Sequence, residues 1–168
     1  MSRIASGSDY GNARRQAVPI VSTLGACLLD ILPIVANRPL VPDFAFLVLI
    51  AWRLLRPEIW SAQIALALGL FNDVVAGHPI GQSMALWTTI FLLFDIADSR
   101  SGWRDYWMDW LFAGLAILLY AAGQWYVARM MGSHIPFVLM VPQILLGLLA
   151  YPLVARFILS LDRWRLSR

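Results

Sequence analysis

Asp30, Asp73, Asp95 and Arg129 stand inside apolar stretches of this 168-residue chain, accompanied by the amide side chains Gln124 and Gln143. Charge in hydrocarbon is costly, so such residues face neighbouring helices or water and mark functional positions. Two arrangements suit Arg129: an ion pair with Asp30 or Asp73, or a side chain that snorkels to the headgroups. Asp95 lies near Arg100 and reads as an interfacial carboxylate. Hydrolytic chemistry needs a nucleophile with a positioned base, but Ser83 and His134 fall at loop edges and no Gly-x-Ser-x-Gly elbow occurs. Phosphoryl transfer needs clustered carboxylates or a glycine-rich phosphate loop, and neither is present. Cys27 is the only cysteine, and His78 and His134 are far apart, so no disulfide and no metal site is expected. No catalytic, cofactor-binding or metal residue is assigned.

The elements that must position these residues follow from composition. Hydrophobic residues make up 60% of the chain and charged residues 14%, against about 25% charged in soluble domains. Lipid tolerates that balance. The net charge of +3 comes without a basic run interleaved with aromatics, so nucleic acid is not an expected partner. Six apolar segments are read as membrane-spanning helices: Val18–Ala36, Pro42–Leu55, Trp60–Ala76, Ser83–Ala97, Leu111–Met131 and Phe137–Leu159. The expected architecture is an all-α, polytopic bundle forming a single domain, with residues 1–17 and 160–168 as cytoplasmic tails. Pro42–Leu55 is short for a roughly 30 Å hydrocarbon core, so it is either embedded in protein or an incomplete crossing.

Breaks in the pattern agree with these limits. Asn37-Arg38-Pro39, Arg56-Pro57-Glu58, Gly77-His78-Pro79 and Gly132–Pro136 separate the segments. Arg14-Arg15 before an apolar run imitates a signal peptide, and Leu24–Cys27 imitates a lipoprotein box. Asp30, Pro33 and the further apolar segments favour an uncleaved first helix. Every basic residue is Arg, and six crossings with a cytoplasmic N-terminus put 11 of the 13 on the inner side. Only Arg38 and Arg129 fall outside, which favours cytoplasmic termini and an even number of crossings. Trp103, Tyr106, Trp107 and Trp110 mark Asp98–Asp109 as an interfacial stretch.

The third segment and its turn, Ala65–Gly81, carry the densest pattern. Ala65, Gly69 and Asp73 recur every four residues and share a helix face. Small residues at that spacing admit a close neighbour. Asp73 at the end of the stripe either caps or bonds that neighbour, or takes a partner or ligand.

Pro42-Asp43 opening a short segment, then Arg56-Pro57, Gly69-Leu70-x-x-Asp73 and Gly77-x-Pro79-x-Gly81, resembles the MreD family of bacterial rod shape-determining proteins. The order and spacing match from about Pro39 to Ala97, and Asn72 departs by replacing an expected apolar residue. The resemblance implies an inner-membrane component of the cell-elongation machinery with no catalytic activity. It implies direct association with MreC, a single-pass protein with a periplasmic domain. Through MreC it implies a link to the actin-like filament MreB and to the wall synthase RodA with its transpeptidase partner. It also implies a six-helix fold similar to the substrate-binding membrane subunit of energy-coupling-factor transporters. The expected partner-binding or helix-packing residues are Pro42, Asp43, Ala65, Gly69, Asp73, Gly77, Pro79 and Gly81. The alternative function is a small-molecule-binding transporter subunit whose outer cavity would draw on Asp30, Asp73, Gln124 and Arg129.

Overall fold

The computed structural model describes residues 5–29, 41–98 and 106–166, with side chains from Ala17 and, in the last stretch, from Trp107. Among these residues the chain forms six α-helices and no strand. They are α1 (Ala5–Leu29), α2 (Phe44–Leu55), α3 (Ala62–Ala76), α4 (Gln82–Asp98), α5 (Tyr106–Met130) and α6 (Val141–Leu166). Single 3₁₀ turns at Pro57–Ile59 and Phe137–Met140 lead into α3 and α6.

The order matches the six expected segments, and the ends differ. Helix α1 begins at Ala5, inside the stretch expected to be a tail, and α6 runs on to Leu166 instead of stopping at Leu159. The far end of the first expected segment, with Asp30, Asn37, Arg38 and Pro39, lies outside the described residues, as do Arg100, Trp103 and Arg104. Inner boundaries follow from capping chemistry. Asp43 is the N-cap of α2, its Oδ1 accepting a 2.8 Å bond from the Phe46 amide. Gly77 ends α3 at φ 70°, a left-handed conformation that a side chain would strain, and its amide bonds back to the Asp73 carbonyl.

The six apolar segments differ in length, the fifth and sixth being the long ones and Pro42–Leu55 the short one, and the helices keep that ranking. By length and composition, two described helical stretches can cross a bilayer: Trp107–Met130 and Phe137–Leu166. Helix α2 has 12 residues, about 18 Å of rise. It lies between α1, α5 and α6, and every residue from Ala45 to Leu54 is buried. A helix enclosed by protein has no lipid-facing side, so bilayer thickness does not set its length. Trp52 fixes it to α1 through a 2.8 Å hydrogen bond from Nε1 to Ser22 Oγ.

The core is apolar with a few polar residues inside it, and the outer face of α5 and α6 is apolar as well. The buried set includes Arg53, Asn72, Asp73, Ser83, Asp162 and Arg165, while Leu111, Leu115, Leu149, Leu153 and Phe157 of α5 and α6 face outward. Helices α2, α4 and α6 run in one direction and α3 and α5 in the other. Polar contacts at both ends of α2 fix that arrangement.

Candidate functional site: two polar layers at the ends of α2

The first layer surrounds the N-terminus of α2. Ring stacking of Phe46 on Tyr120, with centroids 4.0 Å apart, holds the tyrosine against the first turn of the helix. The Tyr120 hydroxyl donates to Asp43 Oδ2 at 2.6 Å. The same hydroxyl stands 3.5 Å from Ser83 Oγ, which also contacts Asn72 Nδ2 at 3.3 Å and His78 Nδ1 at 3.4 Å. Four helices and the α3–α4 turn thus meet in one buried hydrogen-bond network. The histidine beside Ser83 is His78, not His134. Ser83 is fully buried, and Asp43 bonds the phenol of Tyr120.

The Ala65–Gly69–Asp73 stripe faces α4. An added Cβ on Gly69 would stand 2.6 Å from Met84 Cα and 2.8 Å from the Ser83 carbonyl carbon, inside the van der Waals limit. Only glycine lets the two backbones approach so closely. One turn on, the Asp73 carboxylate accepts from the amides of Gly81 at 2.9 Å, Ser83 at 2.7 Å and Met84 at 3.4 Å. These include otherwise orphaned donors at the start of α4, and the negative charge suits that end of the helix dipole. Gly81, at φ 97°, and Pro79, whose carbonyl accepts from the Gln82 amide, shape the turn that delivers those donors. Pro42 packs towards Gly147 of α6, with only 3.7 Å between its Cβ and an added Cβ there.

Among the described residues Arg129 forms no ion pair with Asp73, whose oxygens accept from backbone amides. Its guanidinium lies 5.3 Å from the Trp125 ring centroid, a cation–π contact. Trp125 in turn donates from Nε1 to the Ile135 carbonyl at 2.9 Å and meets Phe137 edge-on. Arg129 therefore belongs to a clamp on the α5–α6 loop. Asp30, the other expected partner, lies outside the described residues.

The second layer, at the C-terminus of α2, combines residues that sequence reasoning did not connect. Arg53, with its side chain 2% exposed, bonds Asp95 and, at 3.1 Å, Asp98 of α4. Its guanidinium also lies 5.7 Å from the Phe91 ring centroid. Asp95, expected beside Arg100, is the half-exposed partner of Arg53. Arg56 reaches Asp162 of α6 at 2.8 Å, and Arg165 reaches the same carboxylate at 2.7 Å and stacks over Trp52. The bond to Asp162 holds the Arg56 guanidinium above its ordinary pKa. The three-residue spacing of Arg53 and Arg56, and of Asp162 and Arg165, was the available signal. Arg53 and Arg56 flank a Pro-containing break and Arg165 stands in the last turn of α6, positions where an arginine reads first as an orientation marker.

Beside the first layer a cleft of about 590 Å³ opens between the α3–α4 turn, α5 and α6. Its polar lining is His78, Gln82, Gln124 and Gln143. Gln124 and Gln143 also line a pocket of about 20 Å³ against Asp43 and Tyr120, roughly the size of one water. No cluster of metal-ligating side chains occurs among the described residues.

No curated protein and no solved structure matches the chain, so its expected likeness to the transporter subunit has no structural support. The sequence model of one family, described as rod shape-determining protein MreD, matches residues 15–162. That match covers the described bundle except the first turns of α1 and the last turn of α6, and the chain belongs to the MreD family of rod shape-determining proteins.

Proposed function

We propose that this chain is a non-catalytic membrane scaffold of the bacterial cell-elongation complex. It binds MreC directly and, through MreC, joins MreB, RodA and the transpeptidase partner of RodA, so helping to control peptidoglycan synthesis and cell shape. It lies in the inner membrane as a multi-pass bundle with both termini cytoplasmic. The arginine distribution supports that orientation, and so does the joint position of the α2, α4 and α6 C-termini around Arg53, Arg56 and Arg165. In this frame the Asp43–Asp73 layer is outermost.

The observation that carries the scaffold reading is how the buried carboxylates are engaged. Asp43, Asp73 and Asp162 each bond a helix start or an arginine of the chain itself. What remains outside is a firm, apolar exterior, and close packing with a few polar contacts is how membrane helices recognise one another. Pro42, Ala65, Gly69, Gly77, Pro79 and Gly81 serve this role by fixing the shape presented to partners. The small-molecule reading loses two of its expected cavity residues, Asp73 to backbone amides and Arg129 to Trp125. Affinity purification of the full chain in mild detergent tests the proposal: MreC is the expected co-purifying protein. Recovery of transporter ATPase subunits, with thermal stabilisation by a vitamin, would replace it with the transporter reading.

A further inference from the structure

One outward face of α6 changes character along its length. Leu149, Leu153, Arg156, Ser160 and Arg163 follow one another at intervals of three and four residues, which sets them in a single stripe. All of them are exposed. The stripe is hydrocarbon at Leu149 and Leu153 and basic from Arg156 onward. Phe157 and Trp164 flank it and are exposed as well.

Neither arginine of the stripe has a carboxylate partner among the described residues. Acids at that end of the bundle are engaged elsewhere, Asp95 and Asp98 with Arg53, and Asp162 with Arg56 and Arg165. Arg163 bonds back onto its own helix, its Nε donating to the Leu159 carbonyl at 3.4 Å, which draws the guanidinium along the stripe toward Arg156. Arg156 lies two turns inside Arg163, about 10 Å of helix. An uncompensated guanidinium on a surface that faces hydrocarbon is costly. The Cα–Cβ bond of Arg156 tilts toward the α6 N-terminus, away from the cytoplasmic end. An anion held against the helix therefore neutralises it more directly than a side chain stretched to the bulk headgroups.

The chemistry selects the occupant. A guanidinium pairs bidentately with phosphate, and Ser160 adds a hydroxyl donor between the two arginines. The leucines on the preceding turns call for hydrocarbon. An anionic phospholipid supplies both in one molecule, whereas a soluble anion supplies only the first. An acidic partner helix fits less well, because close helix approach needs small residues and this face offers Leu, Arg and Phe beside one Ser. Trp164, next to Arg163, belongs at the headgroup level where the phosphates lie.

We infer that Arg156, Ser160 and Arg163 form a site for an anionic phospholipid of the inner leaflet, with phosphate on the two guanidiniums and acyl chains along Leu149 and Leu153. A headgroup with two phosphates, as in diphosphatidylglycerol, engages both arginines. This rests on the inner-membrane reading with the α6 C-terminus cytoplasmic, and not on which protein the chain scaffolds.

The experiment offers diphosphatidylglycerol and phosphatidylethanolamine at equal concentration to the purified full chain in mild detergent and counts bound lipids by native mass spectrometry. The wild type should prefer diphosphatidylglycerol by about tenfold or more. Arg156→Gln/Arg163→Gln should lose that preference, and Arg129→Gln, at the other end of the bundle, should keep it. Ser160→Glu places a carboxylate between the arginines and should abolish the preference independently, so the result does not hang on the folding of one variant. Retention of the preference by either variant with a wild-type melting temperature overturns the site, as does its absence from the wild type. Loss of MreC from the double variant with the lipid preference intact would give the stripe to a protein carboxylate instead. Two further readouts test the underlying reading separately. Labelling of Ser167→Cys from outside spheroplasts overturns the inner-leaflet assignment, and a wild-type chain that prefers the lipid but recovers no MreC overturns the scaffold alone.

Discussion

The Tyr120 hydroxyl, two-thirds of the way along α5, donates a 2.6 Å hydrogen bond to the carboxylate of Asp43 that caps α2. One side chain thereby ties a membrane-length helix to the start of an enclosed one. Tyr120→Phe keeps the ring stacked on Phe46 and leaves Asp43 Oδ2 short of a donor. The expected loss is about 1–3 kcal/mol, read as a lower melting temperature in detergent. An unchanged melting temperature would show that the bond contributes nothing net.

Gly69→Ala tests the α3–α4 seam. The new methyl would meet the backbone of Ser83 and Met84, which cannot swing aside as a side-chain tip can. Overpacking of this kind costs about 1–3 kcal/mol. Gly69→Leu should be worse and should abolish rod shape in a complementation assay. Retained shape with a native melting temperature would show that the seam tolerates separation.

Asp73 separates charge from hydrogen bonding. Asp73→Asn keeps one acceptor oxygen and loses the charge at the α4 N-terminus, an expected cost of about 0.5–2 kcal/mol. Asp73→Ala loses all three amide contacts, and the cost should rise to about 2–3 kcal/mol. Equal melting temperatures for the two variants would assign the whole effect to charge.

Arg53 and Asp95 should respond unequally. Arg53→Met removes the buried cation that holds α2 to Asp95 and Asp98 of α4, and losing hydrogen bonds to charged groups costs about 1.5–3 kcal/mol. Asp95 is itself 49% exposed, and Asp98 would still hold the arginine, so Asp95→Asn should cost under about 1 kcal/mol. Chemical unfolding of the two variants under one condition checks the ratio.

Much of the frame was legible in the sequence, for identifiable reasons. Apolar runs and Gly/Pro breaks located the six helices, because lipid and capping act locally along the chain. The Ala65–Gly69–Asp73 stripe was legible because helical periodicity places those residues on one face before anything is known of the neighbour. The partners of Asp73 were not, since a carboxylate inside an apolar run looks the same whether it meets an arginine or the amides of the next helix. Arg53 and Arg56 illustrate a second limit. Beside a Pro-containing break they read as topology markers, and only the return of α6, more than 100 residues later, brings Asp162 to Arg56. Tyr120 carried no signal at all, being one aromatic among many in a long apolar helix.

The enclosure of α2 constrains how the protein is made. A 12-residue segment ending in Arg53 and Arg56 is too short and too charged at one end to rest stably in lipid as it leaves the ribosome. Its surroundings are completed only when α6 has been synthesised and Asp162 arrives. Nascent chains cut off before α6 should therefore be held by insertion factors or degraded, and chains that include α6 should escape both fates.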